Sequence, residues 1–200
     1  MKIQSKSKEY EVVFCQNIFN NDGPVVEYCK SHKSIVMIDK NVNDIYRKQL
    51  SLLKEYSHQI IVVPAHESYK EFSALETIYK NIIDNGISKN TTIISIGGGT
   101  IQDISGFIGS TLLRGLPWIF VPTTLLSQAD SCIGSKTSIN VGPYKNQIGT
   151  FYPPDKIYLD IQFNRTLPSQ FIQSGVGEII KFHLLSDDKG YSRVKKFLQE

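Results

Sequence analysis

Four short stretches of the 200-residue chain carry residue types and spacings able to do chemistry. In Ile93-Ile94-Ser95-Ile96-Gly97-Gly98-Gly99-Thr100-Ile101-Gln102-Asp103, an apolar run passes through three glycines into a helical pattern. Glycines let backbone approach a phosphate closely, and a helix N-terminus offers N–H groups and partial positive charge, which suits a dinucleotide pyrophosphate. The spacing is not G-x-G-x-x-G, so a plain tight turn is the competing reading. Further on, Val121-Pro122-Thr123-Thr124 ends a strand pattern where open α/β sheets bind ligands, with Asp130 and Lys136 in the polar loop beyond. Thr and Asp also cap such turns. The pair Lys145-Asn146 sets a cation beside an amide that donates and accepts, between Gly142-Pro143 and Gly149; a solvated loop has the same look. Last, Glu178 and Lys181 share a helical face behind Gly175 and Gly177. They read as a metal-ligating carboxylate beside a phosphate-binding or acid–base lysine, or as a surface ion pair. A glycine inside a helix costs about 1 kcal/mol relative to alanine, so two of them predict a close neighbour at this turn. His183 lies about 140° around the helix from Glu178, too far to share a metal readily. Cys132 has no base near it in sequence and reads as a small packing residue.

The elements that must position these residues follow a strand–helix alternation, the mark of a parallel sheet with crossover helices. Strands are predicted over Glu11–Phe14, Ser34–Asp39, Gln59–Val63, Thr92–Ile96, Trp118–Pro122 and Lys156–Asp160. Phe72, Leu75, Ile78 and Ile82 recur at helical spacing, predicting a helix over Tyr69–Asn85 with Gly86 as its stop. A second helix is predicted over Thr100–Leu113. Ser135–Pro154, broken by Gly142, Pro143, Gly149, Pro153 and Pro154, reads as loops or a hairpin. From Ser169 onward the pattern is helical with no further strand. A boundary near Thr166 follows, with an α/β domain over residues 1–166 and the start of a helical domain over 167–200.

Composition bounds the function classes. Hydrophobic residues make 40% and charged residues 20% of the chain, ordinary values for a folded domain. Twenty-two Lys and Arg against 19 Asp and Glu leave +3, too small a surplus for nucleic acid or an anionic membrane to be the expected partner. No window resembles a signal peptide or a membrane span. The cysteines Cys15, Cys29 and Cys132 form no CxxC pair and are odd in number, which favours a reducing compartment, by default the cytoplasm.

Taken together and in order, GGGTIQDISGF, LLRGLPWIFVPTTLLSQADSCIGSKTSIN, KNQIGTFYPP, LPSQF and GEIIK resemble the 3-dehydroquinate synthase family of sugar phosphate cyclases, over roughly Asp39 to Leu185. The resemblance implies a Rossmann-like NAD-binding α/β domain followed by a helical domain that completes a zinc or other divalent metal site. It implies cofactor contacts at Asp39, Asn41, Glu67, Lys70, Gly98, Gly99, Thr100, Asp103, Thr123, Thr124, Lys145 and Thr166. Asp130, Lys136, Asn146 and Lys181 match polar substrate contacts, and Arg114 resembles an arginine supplied across a homodimer interface. Glu178 matches the first zinc ligand; the other two are histidines that lie downstream in the family, so these 200 residues alone are expected to be inactive.

The reaction implied is conversion of 3-deoxy-D-arabino-heptulosonate 7-phosphate, a small anionic sugar phosphate, to 3-dehydroquinate in the shikimate pathway. A ring hydroxyl is transiently oxidised by NAD, phosphate is eliminated, the ketone is reduced again, and ring opening permits an intramolecular aldol closure. Serines at positions 135 and 138 stand where that enzyme commonly has glycine, which keeps a related cyclase with another sugar phosphate as an alternative. A polyol dehydrogenase using NAD and a metal, or a catalytically incomplete nucleotide-binding module, are the further alternatives.

Overall fold

The structure is a computed structural model and describes residues 1–186, 188–197 and 199. Its centre is a seven-stranded sheet built from β1 (Lys2–Gln4), β2 (Glu9–Phe14), β3 (Ser34–Asp39), β4 (Gln59–Val63), β5 (Thr92–Gly97), β6 (Trp118–Pro122) and β9 (Lys156–Leu159). Their order across the sheet is β1-β2-β9-β6-β5-β3-β4, and every pairing is parallel except that of β1 with β2. From β3 the chain moves outward to β4 and then returns to place β5 on the other side of β3. The direction of winding therefore reverses between β3 and β5, the point at which open α/β sheets leave a crevice at their carboxyl ends.

Strands buried on both faces explain why the predicted runs were apolar rather than alternating. In β3, Ile35 and Met37 enter one core, with Ile93, Ile104, Ile108 and Trp118. Val36 and Ile38 enter the other, with Val25, Val26, Leu53, Ile94 and Phe163. The first core is covered by α4 (Phe72–Asp84) and α5 (Gly99–Thr111), the second by α1 (Pro24–Ser31), α2 (Lys40–Ile45) and α3 (Ser51–Tyr56). Leu75, Ile78 and Ile82 form the buried stripe expected of α4, whereas Phe72, its first residue, is exposed. Burying such side chains stabilises by about 1.5–3 kcal/mol each, so α5, with Ile101, Ile104 and Ile108 inside, is firmly anchored.

Residues 135–154 fold as the hairpin alternative: β7 (Lys136–Val141) and β8 (Tyr144–Phe151) pair around Gly142-Pro143, with Gly142 at φ +54°. Ile139 anchors the hairpin in the first core, over α5. A Cβ on Gly106 of α5 would lie 2.6 Å from Thr137 Cγ2, so the missing side chain is what lets the hairpin settle there. The predicted helices shift at their ends. Residues 67–70 form a 3-10 turn before α4, and α5 stops at Thr111 because Leu113 and Arg114 adopt positive φ. After a further 3-10 turn at Ile161–Thr166, the described chain is helical, α6 (Ser169–Ser186) and α7 (Asp188–Phe197). Sequence periodicity left β1, α1, α2 and α3 unassigned; each is short, and none shows a long apolar stripe. No described helix is long and apolar enough to cross a membrane.

Candidate active site

The carboxyl ends of β3, β5 and β6 open into one cavity of about 500 Å³. Asp39 closes β3, Gly98 and Gly99 follow β5, and Thr123 and Thr124 follow β6; all five line it, as do Asn41, Thr100 and Thr166. Gly98 is extended, at φ −86° and ψ −167°, and leads directly into α5 without a side-chain cap. The N–H groups of a first helical turn have no intrahelical acceptor, and here that turn borders the cavity. A Cβ on Gly98 would sit 3.0 Å from Thr124 Cγ2, so the glycine leaves open a cradle that a side chain would fill.

The opposite wall is apolar. Tyr46 and Phe163 pack edge to face at 5.3 Å, and the Tyr46 hydroxyl meets Thr166 Oγ1 at 2.9 Å. These aromatics carried no spacing signal and were missed by sequence reasoning. Asp39 accepts from the Asn41 amide at 2.6 Å as the cap of α2. Burial pushes its carboxyl up, and the hydrogen bonds from Asn41 and Val42 draw it partly back.

Gly99 is shared with a second hollow of about 420 Å³, lined by Asp103, Asp130, Ser131, Gly134 and Lys136 among others. The Lys136 ammonium and the Asp130 carboxylate have no hydrogen-bond or ion-pair partner among the described residues. The loop that carries Asp130 is tied to α5 by a reciprocal pair: Gln102 Nε2 donates to the Ser131 carbonyl at 2.6 Å and Ser131 Oγ donates to Gln102 Oε1 at 2.7 Å. Cys132 is fully buried beneath it, its thiol pushed up to about 12 chiefly by burial, in keeping with a packing role.

Asp103 faces this hollow but is held from behind. Its Oδ2 takes the Lys70 ammonium at 2.9 Å and its Oδ1 the Ser138 amide at 2.9 Å. Burial still lifts the Asp103 carboxyl, the lysine and serine opposing it. Lys70 is only 5% exposed and also donates to Asn146 Oδ1 at 2.7 Å. Asn146 has φ +55°, and its amide donates to Asn140 Oδ1 at 2.9 Å, while Asn140 Nδ2 donates to Glu67 Oε1 at 2.8 Å. The Asn140 hydrogen bond holds the Glu67 carboxyl low against its partial burial, with Lys70 and Lys145 assisting. Glu67 and Lys70 thus lie outside the main cavity, in a polar network under the hairpin. Lys145 is exposed on β8. Asn140 was not singled out from sequence, and Ser138 was marked only as standing where the family commonly has glycine.

The remaining two groups lie elsewhere. Arg114 is exposed beyond the far end of α5, about 20 Å of helix from the glycine turn, and lines none of these hollows. On α6, Ser174 lines the main cavity, and Glu178 lies one turn further along the same helix. Glu178 is ion-paired with Lys181; their side chains are 19% and 53% exposed. Gly175 meets the predicted close neighbour: a Cβ there would lie 2.5 Å from Leu125 Cγ and 2.8 Å from the Leu126 amide nitrogen. Gly177 does not, having nothing within 4 Å of its would-be Cβ, because it faces away from the turn that receives Gly175. Among the described residues no cluster of three or more His, Cys, Asp or Glu side chains could hold a metal.

Residues 60–174, the whole run from β4 through the glycine turn and hairpin into α6, match the 3-dehydroquinate synthase N-terminal family. The chain belongs to that family. It is 34% identical over 199 residues to a 3-dehydroquinate synthase of Methylacidiphilum infernorum, covering 98% of this chain and 56% of that protein. The chain therefore spans about half the length of the curated relatives it matches. Among solved structures it resembles 2-epi-5-epi-valiolone synthase of Streptomyces hygroscopicus subsp. jinggangensis, with NAD+ and Zn2+ bound. That match has a TM-score of 0.78 at 27% identity, over 90% of this chain and 50% of that one. A 2-deoxy-scyllo-inosose synthase, complexed with carbaglucose-6-phosphate, NAD+ and Co2+, aligns with a TM-score of 0.80 over 94% of this chain and 52% of that one. At 24% identity it shows the shared fold alone.

Proposed function

We propose that the chain is the NAD-binding part of a sugar phosphate cyclase, with 3-deoxy-D-arabino-heptulosonate 7-phosphate as substrate and 3-dehydroquinate and phosphate as products. One observation carries this reading: a crevice lined by the glycine turn and two threonines shares Gly99 with a polar hollow whose Lys136 and Asp130 have no partner among the described residues. In this reading Gly98, Gly99 and Thr100 cradle the pyrophosphate, Thr123 and Thr124 border it, and Asp39 and Asn41 meet the adenosine ribose. When bound, NAD supplies reversible hydride acceptance, and this is all the chemistry asked of it.

The chain's own residues bind and orient. Lys136 and Asn146 donate to substrate oxyanions, and Asp130 accepts from its hydroxyls. The apolar wall at Tyr46 and Phe163 excludes water beside the cofactor, and fixed donors around one flexible substrate make catalysis mainly a matter of position. Glu178 and Lys181 stand next to the cavity, but Glu178 by itself is not a metal centre, and no step is assigned to a metal here. The helices after Thr166 are read as the beginning of a second domain, and Arg114, remote from its own cavity, as serving a second copy of the chain. The unpaired cysteines support a cytoplasmic location.

The test is to supply the heptulosonate phosphate, NAD and a divalent cation to the full-length protein. Release of one phosphate per cyclised product without net NADH is the expected outcome. NADH formed in step with turnover would instead establish a dehydrogenase.

A further inference from the structure

The Lys70 ammonium and the Ser138 hydroxyl converge on a single acceptor. Lys70 Nζ donates to Asn146 Oδ1 at 2.7 Å, and Ser138 Oγ donates to the same oxygen at 2.9 Å, with Lys70 and Ser138 Oγ 3.5 Å apart. The orientation of the Asn146 amide is thereby fixed. Turned over, its NH2 would face an ammonium, donor against donor, at that same separation. The backbone is fixed as well, because the left-handed conformation of Asn146 is held by its amide bond to Asn140 Oδ1. What remains of the side chain is Nδ2, which has no partner among the described residues, on an exposed residue of β8. Asn146 also borders a hollow shared with Lys136 and Ser138.

We propose that Ser138, acting with Lys70, is a positioning residue that saturates the Asn146 carbonyl oxygen, so that Asn146 reads a ligand only as a hydrogen-bond donor. An amide free to turn can greet either a hydroxyl or an anion; a locked one beside Lys136 selects oxygen acceptors, the oxyanions of a phosphate or a carboxylate. This deepens the cyclase reading and rests on it for the identity of the natural substrate, but the locking itself is a property of the free protein. It also assigns work to a serine whose only sequence-level mark was the absence of glycine.

The side-chain amide resonance of Asn146, measured by NMR in the full chain, reports the locking directly. In Ser138→Ala the amide order parameter is expected to fall, and in Ser138→Thr, which keeps the hydroxyl, to stay at the wild-type value. Titration with inorganic phosphate in one arm and malonate in the other should move this resonance, and the arm with the stronger response identifies the anion the site prefers. Loss of one hydrogen bond should weaken that response roughly three- to tenfold in Ser138→Ala, with Ser138→Thr restoring it. An Asn146 amide equally ordered in Ser138→Ala, or unmoved by both anions in the wild type, overturns the proposal. Failure of the wild type to release phosphate from the heptulosonate phosphate would count against the cyclase reading alone, since the order parameter is measured without substrate.

Discussion

The two halves of the candidate site are built by different means. On its glycine side the main cavity is made of backbone and small residues at the ends of three adjacent strands, so once β3, β5 and β6 pair in register the shape of that wall is set. The neighbouring hollow is backed, at Asp103, by a polar network whose partners are distant in sequence: Lys70 reaches 33 residues to Asp103 and 76 to Asn146. The weak point of the first is volume, where a new atom would fill the cradle at Gly98. The second depends on one buried ammonium, and its weak point is charge rather than volume.

Removing that ammonium is the largest break available. Lys70→Met leaves the Asp103 carboxylate facing a half-buried site without its counter-ion and strips Asn146 of a donor. A stability loss of about 3 kcal/mol is expected in urea denaturation, most of it regained in Lys70→Met with Asp103→Leu, where no buried charge remains unpaired. A loss under about 1 kcal/mol would mean that strand pairing alone holds the hairpin, and the contrast between the two halves would collapse. In the crevice the matching change is Gly98→Val. Its Cβ begins 3.0 Å from Thr124 Cγ2 and its methyl groups occupy the cradle, so NAD affinity measured by calorimetry should drop at least roughly tenfold, on the reading that the pyrophosphate lies there. Unchanged affinity in a folded variant would remove the glycine turn from the assignment.

The same difference decides what could be read from sequence. Six of the seven sheet strands were legible: β3, β5 and β6 are apolar runs buried on both faces, β2, β4 and β9 are shorter or less buried apolar runs, and the glycine triplet marked the crevice because it sits where a strand passes into a helix. Thr123 and Thr124 came with their strand end, whereas Asp39, though it closes a predicted strand, entered as a site residue through the family resemblance. The network beneath the hairpin was not legible. Nothing at Lys70 or Ser138 in the sequence says that both reach the same oxygen of Asn146, since side-chain bonds between distant segments leave no period behind. Family resemblance brought Lys70 and Glu67 into view as cofactor contacts, whereas the structure sets them under β7 and β8.

The glycines of α6 sharpen the comparison on a smaller scale, because one is a packing requirement and the other is not. Gly175→Ala drives a methyl group into Leu125 and the Leu126 backbone and should destabilise by about 1–3 kcal/mol, loosening α6 from the turn after β6. Gly177→Ala meets open space and should stabilise by about 0.5–1 kcal/mol through helix propensity and a less flexible unfolded chain. Thermal melts of the two variants should move in opposite directions; a shared sign would mean that α6 does not seat on Gly175.

The smallest expected effect is in the crevice, at its one buried acid. Burial raises the Asp39 carboxyl, so between its ordinary value and its value in the folded protein the native state binds more protons than the unfolded chain. Stability contributed by this group therefore falls as pH rises through that window and is constant above it. Glu11, Asp44 and Glu67, all lowered by their partners, slope the other way, which is why the quantity to measure is the difference between wild type and Asp39→Asn. The asparagine can still accept from the Asn41 amide, so α2 keeps its cap while the titration disappears. The expected difference is a shallow relative gain for Asp39→Asn as pH rises across the window. If ribose hydroxyls donate to this carboxylate, they favour its ionised form, and NAD affinity should decline on acidification through the window in the wild type but not in Asp39→Asn. A parallel pH profile of NAD binding in the two proteins would place the ribose elsewhere, leaving Asp39 as the cap of α2 and nothing more.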